Sequence, residues 1–279
     1  MKLAWLLISM ALAAVWSDPL LDNNKTGQVN YEYVKPTDPA QNAIYEHLRT
    51  MGVLERLSEF LSPIRFPRSL TLRFETCGKV NAYYWNDEVK ACYEYFDYLL
   101  KIAPDMPTSE GLTRHDALAG MTADLFLHET GHAVLDMLQI PFLGREEDVA
   151  DEFSAYVLLQ MAKDDTRRLM LGVAYLGSRQ AQEEMARMLT TADFADIHEL
   201  PRQRYYNVLC MAYGEDPILF SDAIEFWHLP EERAKRCNYE YRRFQYAFQS
   251  LISPYVDYAM AERVKVKGLL NYVPANAVE

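Results

Sequence analysis

The chain has 279 residues, 50 % hydrophobic and 24 % charged, and its 40 acidic against 28 basic side chains leave a net charge of -12. So much apolar and aromatic material supports a sizeable core and excludes intrinsic disorder, while the acidic excess, with no Lys/Arg stripe, excludes a basic nucleic-acid binder. Eleven glycines and thirteen prolines exclude collagen-like and low-complexity classes.

Residues 1–17 read as a signal peptide. Lys2 gives a positive start, 3–15 is an uncharged apolar run, and Val15-Trp16-Ser17 offers small residues at the two positions a signal peptidase inspects. A second possible cut follows Ala13. A retained N-terminal anchor is the alternative, although the run is shorter than the roughly 20 apolar residues that span a bilayer. No other stretch reads as transmembrane. Export to the periplasm or the medium is therefore expected, and cleavage after Ser17 leaves 27 basic against 40 acidic side chains, a charge of -13.

Residues 18–40 are polar and read as a linker with a short extended piece. Apolar positions at helical spacing fill 39–61 and stop before Pro63. Residues 69–74 alternate as a strand, and 80–85 and 89–95 flank Asn86-Asp87-Glu88 as a hairpin. From Thr113 onward helical patterns cover roughly 113–139, 146–163, 166–190, 202–213, 217–227 and 231–252. The expected class is α+β, with a small antiparallel sheet lobe (about 41–112) followed by a mainly helical lobe (about 113–279) in one domain, 41–279.

All four cysteines, Cys77, Cys92, Cys210 and Cys237, follow the expected cut. An even number in an exported chain implies two disulfides. Three connectivities exist, and proximity in sequence favours Cys77–Cys92 and Cys210–Cys237. None sits in a Cys-x-x-Cys pair, which argues against thiolate zinc.

The sharpest chemical signal is His128-Glu129-Thr130-Gly131-His132, an H-E-x-x-H pattern inside an apolar helical stretch with Leu125, Leu127, Val134 and Leu135 around it. Four-residue spacing puts both imidazoles on one helix face, where they can converge on a single metal; Zn²⁺ suits neutral imidazole, and Glu129 can act as the base toward water. A catalytic zinc needs a third protein ligand and an open position. After a turn at Phe142-Leu143-Gly144 the next helix carries Glu147 and Asp151, four apart and on one face. One of them can bind metal while the other accepts a hydrogen bond from a ligating imidazole.

His128-Glu129-x-x-His132 followed by Glu147-x-x-Ala150-Asp151 resembles the gluzincin peptidases. That resemblance implies a zincin-like fold, Glu147 as third ligand and Asp151 as support for a ligating histidine. Two further segments are similar to the neprilysin-like branch. Val80-Asn81-Ala82-Tyr83-Tyr84 resembles its substrate-holding edge strand, implying that Asn81 and Ala82 bind peptide backbone. Asp196-x-His198 with Arg204 resembles the segment in which the histidine stabilises the tetrahedral intermediate and the arginine holds a substrate carbonyl. This chain is much shorter, and its link between second histidine and third ligand is reduced. The whole pattern, cysteines included, also resembles a small bacterial family of uncharacterised, predicted metallopeptidases. Asn207, one turn beyond Arg204, reads as a residue that orients it. The expected function is an exported zinc metallopeptidase, with one Zn²⁺ per chain, that acts on a peptide or protein substrate. A catalytically silent zinc-containing binding or regulatory module is the alternative.

Overall fold

The structure, a computed structural model, describes residues 26–269. The expected signal peptide, the alternative anchor and both possible cleavage points lie outside these residues. Strand β1 (Val29–Tyr33) comes first, then α1 (Pro39–Thr50) and α2 (Val53–Leu61). Asp38 caps α1 by accepting the Ala40 N–H at 2.9 Å, and Pro39 supplies a preset helical φ. The single helical pattern over 39–61 is broken because Gly52 takes a left-handed conformation, φ 58°. Strands β2 (Leu70–Glu75), β3 (Ala82–Trp85) and β4 (Glu88–Cys92) complete a sheet of order β1-β2-β4-β3. Leu70, Leu72 and Phe74 of β2 turn inward and are fully buried, the alternation expected of a half-buried strand.

The α+β class holds, but the sheet is mixed, not antiparallel: β1 and β2 pair in parallel, as do β2 and β4, and only β3–β4 is antiparallel. The reason is connectivity. The α1–α2 pair carries the chain back across the sheet between β1 and β2, and β3, the first arm of a hairpin, is laid at the edge, which leaves the second arm β4 beside β2. The extended piece expected before residue 41 is β1, so the folded unit begins ahead of the boundary read from sequence. The β3–β4 turn is a two-residue one, with Asn86 (φ 53°) and Asp87 (φ 62°) both left-handed and Glu88 already paired with Trp85. The second hairpin arm ends at Cys92; Tyr93, Phe96 and Leu99 are the buried face of α3 (Tyr93–Ile102), not strand positions.

Helix α4 (Arg114–Met137) runs through the middle of the molecule, with most of its residues buried. Around it lie α5 (Glu146–Leu159), α6 (Lys163–Met185), the short α7 (Thr191–Phe194), α8 (Pro201–Glu215), the short α9 (Asp222–Glu225), α10 (Glu231–Leu251) and α11 (Tyr258–Lys267). Small residues set the closest contacts: a Cβ on Gly131 would meet Ala150 Cα at 3.0 Å, so α4 and α5 touch backbone to backbone beside the H-E-x-x-H turn. Tyr156 of α5 packs against Tyr241, Phe244 and Phe248 of α10. Cys77–Cys92 and Cys210–Cys237 are disulfide-bonded, the pairing that proximity favours. No helix among the described residues is long and apolar enough to cross a membrane.

Candidate active site

Because α4 is buried on nearly all sides, its polar turn at 128–132 is held inside the protein. His128 and Glu129 are buried, and their neighbour Thr130 ties its hydroxyl to the Phe126 carbonyl. His128 and His132, one helical turn apart, bring their Nε2 atoms to 3.3 Å. Glu147 arrives from the first turn of α5, with Oε2 3.2 Å from His128 Nε2 and 3.4 Å from His132 Nε2. These three atoms form a nearly equilateral triangle. Imidazole N and carboxylate O ligands about 2.0–2.1 Å from a tetrahedral zinc stand about 3.3 Å apart, which is the size of this triangle.

The electrostatics fit a cation at that point as well. His128 Nδ1 lies 2.7 Å from Asp151 Oδ1, and His132 Nδ1 lies 2.7 Å from Glu146 Oε1. A carboxylate accepts from a ring N–H, so the Nδ1 atoms carry the protons and the two Nε2 lone pairs face each other. Two bare lone pairs repel at 3.3 Å, so the pocket calls for positive charge there, either a metal ion or a proton that an imidazole shares with Glu147. Glu147 Oε2 is buried and has no partner in hydrogen-bonding alignment, although three imidazole nitrogens surround it. Burial acts to raise the Glu147 pKa, yet His128, His132 and His198 override it and hold the carboxyl well below the usual carboxylate range. Burial likewise acts to lower the His128 pKa, and the carboxylates of Asp151 and Glu147 instead push it up to about 10. Imidazoles made this basic are strong electron-pair donors.

Glu129 lies on the adjacent flank of α4. Burial raises its pKa above the ordinary carboxylate value, opposed by His128 and His132, and the Tyr84 backbone hydrogen-bonds to it. Strand β3 therefore runs alongside Glu129, at the sheet edge. Asn81 precedes β3 and closes the ladder by accepting the Cys92 N–H at 3.1 Å, and Ala82 pairs with Ala91. The side of β3 away from β4 has no strand partner among the described residues.

His198 stands on the opposite wall. Its Nδ1 and its backbone N–H both engage Asp196 Oδ1 at 2.9 Å, and its Nε2 lies 3.1 Å from Glu147 Oε2, with the ring stacked over His128. It thus joins the centre through Glu147, while the ligand atoms within 4.8 Å of one another belong to His128, His132 and Glu147. Arg204 grips Asp151 with Nε and Nη2 at 2.7 and 2.6 Å, which leaves Nη1 without a hydrogen bond among the described residues. Asn207 does not orient Arg204: its amide donates to Glu199 and its carbonyl accepts from Arg233, because that helix face turns toward α10.

Sequence reasoning missed Glu146, which holds the second imidazole, and the Arg145–Glu199 ion pair (2.6 Å) that ties the start of α5 to the His198 segment. A signal for Glu146 existed, since two ligating imidazoles call for two acceptors and only Asp151 had been assigned. Nothing local predicts the Arg145 pair, whose members are 54 residues apart.

A family model described as "Putative metallopeptidase" matches residues 33–252, more than three quarters of the chain and all of the residues above. No curated protein and no solved structure matches it.

Proposed function

Because the chain belongs to that family, we propose that it is an exported, zinc-dependent peptidase of the gluzincin kind, with one zinc held by His128, His132 and Glu147. The observation that carries the reading is the triangle of three donor atoms with edges of 3.2, 3.3 and 3.4 Å, two of them imidazole nitrogens whose far sides are fixed by carboxylates. Zinc bound there supplies Lewis-acid polarisation of a peptide carbonyl and acidifies a water molecule.

The chain's own residues do the rest. Glu129, raised in pKa by burial, takes the proton from the attacking water and later delivers it to the departing amine nitrogen. The open edge of β3 receives the substrate backbone by strand addition, with the Asn81 and Ala82 region aligning it. His198, oriented by Asp196, presents an N–H toward the oxyanion that develops on the scissile carbonyl. Asp151 holds His128 in its ligating tautomer, and Arg204 holds Asp151 while directing Nη1 to a substrate carbonyl. Two disulfides support location outside the cytoplasm, where such bonds persist. Residues 41–279 act in this reading as one catalytic unit, together with β1.

Metal analysis and peptide cleavage by purified protein test the proposal. Wild type and Glu129→Gln should both carry one zinc, with cleavage lost by about a thousandfold or more in the variant. Full activity in Glu129→Gln, or no zinc in wild type, overturns it.

A further inference from the structure

A cleft of about 760 Å³ opens beside the three-ligand centre and runs along α6 and α3. Its lining includes Val80, ahead of the edge strand, His198 and Arg204 of the site, and Gln180 and Glu183 of α6. Two phenols line it: Tyr95 and Tyr98 meet edge to face at 6.0 Å, and the Tyr98 hydroxyl lies 3.3 Å from both carboxylate oxygens of Glu183. Aromatic rings followed by a carboxylate suit a long apolar stem that ends in a cation.

Most of the charged groups that line the cleft have a charged partner. Arg187 is paired with Asp193 and Arg204 with Asp151; Glu184 and Glu199 take Arg202 and Arg145. Asp196 is bonded to His198. Glu183 alone of the lining carboxylates has only a phenol for a partner. Arg179, one turn before it, donates to Gln182 at 3.0 Å and makes no hydrogen bond to Glu183 among the described residues, although its charge acts on Tyr98.

We infer that this cleft selects a lysine or arginine side chain next to the scissile bond, its stem lying on Tyr95 and Tyr98 and its charge meeting Glu183. The inference rests on the peptidase reading and names a substrate class for it. Differential binding of that side chain in the transition state would appear as selectivity in kcat/KM.

Cleavage-site mapping of zinc-loaded wild type on a diverse peptide library provides the first test, and lysine or arginine should be enriched at one position flanking the cut. Paired peptides with lysine or norleucine at that position provide the second. Glu183→Gln should lower the lysine-to-norleucine ratio of kcat/KM by about five- to tenfold, and Glu183→Lys should push it lower still. Cleavage without basic enrichment, or an unchanged ratio in Glu183→Gln, overturns the inference and leaves the peptidase reading standing. Failure to cleave any peptide overturns both. Calorimetry with the lysine peptide and Glu129→Gln protein gives a readout independent of turnover: binding should weaken by a similar factor when Glu183→Gln is added.

Discussion

Glu146 and Asp151 stand just over one turn apart on α5 and each accept from the far nitrogen of one imidazole, at 2.7 Å in both cases. Replacing either should loosen metal without removing a ligand, so competition with a chelator should show zinc affinity about 10–100-fold weaker in Glu146→Gln and in Asp151→Asn. Asp151→Asn should also destabilise the protein, because Arg204 loses the carboxylate that both its bonded nitrogens use. Glu152 behaves differently. Burial, aided by the negative charge of Asp148, Glu240, Asp151 and Glu199, pushes its pKa from 4.5 up to about 7. The folded chain then keeps a proton that the unfolded chain releases, so the associated stability is complete below about pH 4 and is lost as pH rises through 7. Glu152→Gln should leave the melting temperature nearly unchanged at pH 4.5 and raise it at pH 8, by the equivalent of about 1–3 kcal/mol. At this scale the convergence of His128, His132 and Glu147 was legible from sequence, because the histidines are one helical turn apart and Glu147 opens the next helix after one short turn. Glu146 and the true partners of Asn207 were not, since each depends on which way a neighbouring helix faces.

Among elements, the contact that places the centre is α4 against its neighbours. A Cβ on Gly120 would come within 2.3 Å of the Leu169 carbonyl oxygen, and one on Gly172 within 2.8 Å of the Asp116 carbonyl oxygen. Both obstacles are backbone, so α4 and α6 can be this close only with glycine at the crossing. Gly120→Ala should force them apart and cost about 1–3 kcal/mol, measured by denaturant unfolding. The long helices were readable from their apolar period, and α4, α5 and α10 begin and end within a few residues of the expected limits. Sheet pairing was not, because the hydrophobic alternation of β2 is the same whether its neighbour runs with it or against it. Helix α3 was hidden by Tyr93 and Tyr95, good strand formers that the Tyr93, Phe96, Leu99 period overrules.

Across the whole molecule, the proposed ligands and their supports come from separate segments: 128–132 on α4, 146–151 on α5 and 196–204 leading into α8. A bound ion would therefore cross-link the helical body. Zinc at a thousand times its dissociation constant adds about 4 kcal/mol to stability, so chelation should lower the melting temperature by several degrees and zinc should restore it. The two disulfides brace different lobes, Cys77–Cys92 beside the edge strand and Cys210–Cys237 between α8 and α10. The exposed edge of β3 has one further consequence. An edge that welcomes a peptide also welcomes the same edge of a second molecule, the route by which sheets stack into aggregates. Here the invitation is only four residues long and stops at the tight turn of Asn86 and Asp87. Two copies that met along this edge would share a ladder of four residues at most, which is little to hold them together.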